Sequence, residues 1–254
     1  MARATDDALR VPSLSDNDDA QGDPVEGHTA RSFDAALSEL RLHLVSMGGL
    51  AMDQVATAVR ALLEGDDELA RLVLSRETLI NDFEKTIDRE AFRLIALHQP
   101  VAGDLRMAKA ASRIVIELER VGDEAKKIAR FASRLASGEP QGPVRAVARF
   151  LRNMADLTAG MLREAVRALD EANPELAYGV TSRDAELDEE FAAALRQLLT
   201  LAMQDQRFLS VTIDTVFALK GMERIGDHAK NIAEQVVFVA SGEDLRHMKG
   251  QRGA

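Results

Sequence analysis

Cysteine is absent from this chain of 254 residues, which excludes disulfides, thiol chemistry and cysteine-ligated zinc or iron–sulfur sites. Tryptophan is also absent and tyrosine occurs once, so a core has to be aliphatic, helped by nine phenylalanines. No run of about 20 apolar residues, the length a helix needs to cross a bilayer, is found. The N-terminus, acidic from Asp6 and Asp7 onward, lacks the basic and apolar regions of a signal peptide. The expectation is a cytoplasmic protein with no membrane insertion. A net charge of −10 argues against a surface that tracks nucleic-acid phosphates. There is no glycine-rich phosphate loop and no nucleophile elbow. None of the five histidines stands in the Glu-x-x-His arrangement of di-iron bundles. No residue is a candidate for catalysis.

What is present is a phrase written twice. Glu119-Arg-Val-Gly-Asp123-Glu-Ala-Lys-Lys-Ile-Ala-Arg130 returns as Glu223-Arg-Ile-Gly-Asp227-His-Ala-Lys-Asn-Ile-Ala-Glu234. Upstream, Glu68-Leu-Ala-Arg-Leu-Val-Leu-Ser-Arg-Glu77 is echoed by Glu175-Leu-Ala-Tyr-Gly-Val-Thr-Ser-Arg-Asp184. Two blocks repeated in the same order mark an internal duplication, so the second half should build what the first half builds.

Apolar residues recur at helical spacing from Phe33 to Ala240, with few interruptions. Gly65 followed by Asp66 and Asp67 reads as a C-cap and an N-cap, and Asn173-Pro174 as an N-cap with proline at the first helical position. His98 to Asp104 reads as a loop ending in a further N-cap, and Ser137 to Pro143 as the junction between halves. Six long helices are expected, near 33–64, 67–98, 104–136, 144–171, 174–204 and 208–240. The fold class is all-α, two tandem antiparallel three-helix bundles over 32–138 and 139–240. Residues 1–31 should form a disordered acidic tail, since seven acids face two arginines within the first 30 residues and little apolar surface is available. Residues 241–254 should be a flexible C-terminal tail.

On the third helix, Ile114, Leu118, Val121, Ala125 and Ile128 share one arc that must face the core. On the sixth, Ala218, Met222, Ile225, Ala229 and Ile232 do the same. Glu119 with Asp123 and Glu223 with Asp227 fall outside these arcs, as like-charge i,i+4 pairs that destabilise an isolated helix. A hard cation bridging the carboxylates would compensate. Gly122 and Gly226 each cost about 1 kcal/mol relative to alanine in a helix interior, which close approach of a helix or ligand would explain. The preceding helices add Asp184 and Asp188 in one half and Glu77 and Asn81 in the other, so four oxygen-bearing side chains per half converge if those helices pack side by side. Such clusters suit divalent or trivalent iron, zinc, manganese or magnesium. Against this stands a solvated acidic face partly neutralised by Arg120, Arg224, Lys126 and Lys230. His228 projects about 100° or more away from the acidic edge and is a poor ligand candidate.

These residues, with the Gln99-Pro-Val-Ala-Gly-Asp-Leu-Arg106 loop and Met203-x-Asp205-x-Arg207, resemble the PhoU family, the bacterial phosphate-specific transport system accessory proteins, over about 33–240. The resemblance implies metal bound through Glu119, Asp123, Glu223 and Asp227, with Glu77, Asp184 and Asp188 as second-helix partners. Asn81 stands where the family usually has Asp, removing one anionic ligand from the first half. It also implies a non-enzymatic homodimer that represses the phosphate-starvation response and phosphate uptake, linking the ATPase subunit of the phosphate transporter to a sensor histidine kinase. A metal-dependent enzyme and a metal-independent helical scaffold are the alternatives.

Overall fold

The computed structural model describes the backbone of residues 24–138 and 141–242, and side chains from Arg31 onward. The helices are α1 (Pro24–Glu64), α2 (Asp67–Ser75), α3 (Glu77–His98), α4 (Ala102–Ala136), α5 (Gly142–Ala146), α6 (Ala148–Asp170), α7 (Pro174–Ser182), α8 (Asp184–Gln204) and α9 (Leu209–Ser241), with a 3-10 turn at Gln206–Phe208. No strand occurs among the described residues. The expected tail over 1–31 lies mostly outside the described residues, but α1 starts at Pro24 rather than near 33. The expected C-terminal tail falls outside them beyond Gly242.

The two repeats are capped alike. Asp66 accepts hydrogen bonds from the amides of Glu68 and Leu69 at 2.8 and 3.1 Å. Asn173, at the matching position, accepts them from Glu175 and Leu176 at 3.0 and 3.3 Å. Each satisfies two of the amide donors that a helix start leaves free. Asp104 makes no such cap: α4 starts earlier, at Ala102, after Val101 in an extended conformation.

α1 packs against α2, α3 and α4 in the first repeat, and α9 against α6, α7 and α8 in the second. The repeats meet where α4 lies along α9 and α1 along α6, and their buried residues form one continuous core. The predicted inward arcs are buried, from Ile114 and Leu118 on α4 to Met222 and Ile225 on α9. Alanine fills much of the α4 interface, with Ala108, Ala110, Ala111, Ala125, Ala129 and Ala132 all buried, which lets the helices approach closely despite the scarcity of aromatics.

Three of the six expected helices are interrupted. Arg76 separates α2 from α3 and Arg183 separates α7 from α8; the amide of each bonds the carbonyl three residues back, Val73 and Val180, at 3.2 Å. Their side chains form ion pairs with the first helix of their own repeat, Arg76 with Asp53 and Arg183 with Glu164. Val147 divides α5 from α6. A one-residue tightening leaves the same face inward on both sides, so apolar spacing passes through it unmarked.

Candidate metal centres

In the first repeat, α3 supplies Glu77 and Asn81, and α4 supplies Glu119 and Asp123. They line one small cavity of about 10 Å³ together with Gln54 of α1, Val73, Ile80, Gly122 and Lys126. All four predicted side chains are partly buried. Lys126 donates to Glu77 Oε1 at 2.5 Å and to Asp123 Oδ1 at 2.8 Å. Burial works against the charge of Lys126, but these two hydrogen bonds outweigh it and raise its pKa. Glu119 is pushed above the usual carboxylate range, first by burial and then by the neighbouring charges of Asp123 and Glu84.

In the second repeat, α8 supplies Asp184 and Asp188, and α9 supplies Glu223 and Asp227. Lys230, the counterpart of Lys126, pairs with Asp184. Lys220 stands 2.5 Å from Glu223 Oε2, an ion-pair distance without hydrogen-bond direction, so that buried oxygen has no hydrogen bond. Asp227 has its pKa raised, first by loss of solvent around the carboxylate and then by the charge of Glu223, with Asp188 adding a smaller push in the same direction. Asp188 and Asp227 are nevertheless exposed, unlike any of their first-repeat counterparts.

The glycines stand at corresponding positions of the two repeats but in contacts of unequal tightness. A Cβ on Gly122 would meet Ile80 at 3.5 Å and Gln54 Oε1 at 3.3 Å. One on Gly226 would fall on Leu187, the residue matching Ile80 in the second repeat. At Gly226 the neighbour that excludes a side chain is therefore the second helix of the same repeat, whereas at Gly122 the nearest atom belongs to Gln54 on α1 and Ile80 stands at ordinary contact distance. In the same way Gly48 on α1 makes room for Val166 on α6.

Both clusters suit a hard cation in donor type, being built from carboxylate and amide oxygens. The raised Glu119 and Asp227 pKa values mark negative charge that a cation would relieve. Lysines are ion-paired with carboxylates of both clusters. Neither cluster brings three carboxylate oxygens within 4.8 Å of one another. A metal would bind in competition with Lys126 and Lys230.

Two participants escape a reading of the motifs alone. Gln54, 2 % exposed, reaches the first cluster from α1 with its amide nitrogen unbonded. Lys220 precedes the second motif by three residues, where the first repeat has Ile116. His228 is turned away from the acidic edge, as expected, and joins the repeats instead: its Nδ1 lies 2.7 Å from Glu117 Oε2 on α4. Asn231 donates to the same oxygen at 3.1 Å. Burial raises the pKa of Glu117, but these bonds prevail and lower it.

The family profile described as the PhoU domain matches residues 44–132 and 151–236, one copy in each repeat. The chain is 44% identical over 223 residues to the phosphate-specific transport system accessory protein PhoU homolog of Pseudomonas putida, covering 87% of this chain and 85% of that one. It is 41% identical over 228 residues to the homolog from Pseudomonas aeruginosa, covering 89% and 92%. The crystal structure of PhoU from Pseudomonas aeruginosa superposes with a TM-score of 0.77 at 41% identity, over 83% of this chain and all of that one. That of the phosphate transport system regulatory protein PhoU from Streptococcus pneumoniae gives 0.76 at 26% identity, over 84% and 98%.

Proposed function

Because the chain belongs to the PhoU family, we propose that it is a cytoplasmic, non-enzymatic regulator of phosphate transport that represses the phosphate-starvation response. In this reading it is a homodimeric adaptor between the transporter's ATPase subunit and a sensor histidine kinase. The observation that supports it is the doubled acidic motif, set against second-helix side chains in both repeats of a chain that matches its relatives over most of their length. No helix among the described residues is long and apolar enough to cross a membrane, so the chain would reach the transporter through other proteins.

The residues proposed to hold metal are Glu77, Asn81, Glu119 and Asp123 in one repeat and Asp184, Asp188, Glu223 and Asp227 in the other. A bound cation would neutralise like charges and shape the surface that partners meet. The chain's own residues do the positioning: Gly226 lets Leu187 of α8 close on α9, and Arg76 and Arg183 pin the helix breaks against Asp53 and Glu164. A second reading, a scaffold needing no metal, draws on the lysines already seated in both clusters.

Deleting the gene should switch on phosphate-starvation genes in phosphate-rich medium, and restoring it should switch them off. The combination Glu119→Gln/Asp123→Asn/Glu223→Gln/Asp227→Asn should weaken repression while circular dichroism shows unchanged helix content. Normal repression in the null strain, with neither the ATPase nor the kinase retained in a pull-down, would overturn the adaptor.

A further inference from the structure

Outside the duplicated motifs, Glu39 and His43 lie one helical turn apart on α1, and Glu90 faces them from α3. One donor atom from each lies within 4.8 Å of the other two, and among the described residues this is the one such group of histidine and carboxylate donors. His43 Nδ1 and Glu90 Oε2 are 2.8 Å apart. Two ligands bound to one zinc at about 2.0–2.1 Å each stand roughly 3 Å apart, so these two atoms already lie close to the separation that shared coordination requires. The ring is held edge-on to Phe83, with centroids 6.2 Å apart.

The charge around these donors separates them from the motif clusters. Each motif cluster contains a lysine paired with its carboxylates. Neither Glu39 nor Glu90 forms an ion pair with a lysine or arginine among the described residues, and Glu90 is bonded by His43 instead. The donor set is also of another kind. One imidazole nitrogen and two carboxylate oxygens suit a borderline ion such as Zn2+, whereas all-oxygen clusters suit harder ions. His43 and Glu90 are partly buried while Glu39 is exposed, which leaves coordination positions open to water. Glu90 lies thirteen residues beyond Glu77 on the same helix, about 20 Å at 1.5 Å per residue, so the two sites share no ligand.

We propose that Glu39, His43 and Glu90 form a third metal site, selective for Zn2+-like ions, that bridges α1 and α3 independently of the duplicated motifs. The test is calorimetric titration of metal-stripped protein with Zn2+. The variant Glu119→Gln/Asp123→Asn/Glu223→Gln/Asp227→Asn should keep one equivalent of Zn2+, and adding His43→Ala should abolish it. No Zn2+ bound by the quadruple variant, or binding unchanged by His43→Ala, would overturn the proposal. If the quadruple variant fails to fold, the decision passes to the wild type, where Zn2+ should shift the ring 15N resonances assigned to His43. Resonances that stay in place would overturn it equally.

Discussion

The two repeats place the same motif on the same helix and treat its charge differently. The first encloses three carboxylates and an asparagine, all partly buried, around a cavity that Lys126 enters. The second has a fourth carboxylate, Asp188, leaves it and Asp227 exposed, and brings up a second lysine, Lys220, beside Glu223. Burying a charge costs more than leaving it in water, so the enclosed cluster is the one that carries the neutral Asn81. Where charge increases, either solvent or a counter-charge increases with it. The duplication therefore conserves the framework of caps, helix breaks and glycines, while the acidic clusters differ in what balances their charge.

The largest test of this comparison is at the glycines. Gly226→Ala drives a methyl group onto Leu187, itself 1 % exposed and unable to retreat into solvent. Overpacking of this kind costs about 1–3 kcal/mol, partly offset by about 1 kcal/mol of helix propensity. Gly122→Ala meets Ile80 at 3.5 Å and Gln54 Oε1 at 3.3 Å, so propensity should cancel or exceed the crowding. Thermal unfolding should show Gly226→Ala clearly less stable than Gly122→Ala, by about 2–4 °C for each kcal/mol. Equal shifts would mean that the two helix contacts are alike.

The caps should behave identically, since Asp66 and Asn173 bond two amides each. Asp66→Ala and Asn173→Ala are each expected to cost about 1 kcal/mol. A difference well beyond that in denaturant midpoints would break the equivalence of the frameworks.

The smallest effect is electrostatic. Glu119 and Asp227 both have raised pKa values in the folded protein, so the folded state holds their protons more tightly than the unfolded state does. Their stabilising contribution is present below the ordinary carboxyl range and is lost as pH rises through the raised values. In metal-free protein at neutral pH, Glu119→Gln and Asp227→Asn should each stabilise, by about 0.3 kcal/mol for one like-charge i,i+4 pair relieved. The gain should vanish in acid. Destabilisation at neutral pH by either change would show that the lysines already compensate the carboxylates fully.

Much of the framework is visible in the sequence because it is local. Cap residues sit next to the helices they cap, and the inward arcs of α4 and α9 follow from spacing. The breaks at Arg76 and Arg183 were hidden because apolar spacing is continuous across them, and because the acids that pin them, Asp53 and Glu164, lie on other helices. Asp104 looks like a cap by type, yet α4 begins before it with no side-chain cap. The duplicated motifs pointed to Glu119, Asp123, Glu223 and Asp227, since repetition makes a sequence compare itself. Gln54, and the triad of Glu39, His43 and Glu90, have no such echo and join residues far apart in the chain.

The proposed difference between the repeats is that their duplicated motifs bind metal with unequal strength. It is tested most directly by elemental analysis of purified wild type beside Glu119→Gln/Asp123→Asn, Glu223→Gln/Asp227→Asn and Asn81→Asp. The account predicts metal in the wild type, a larger loss when the second motif is neutralised than the first, and a gain when Asn81→Asp restores the missing carboxylate. Equal metal content in all four proteins would contradict it.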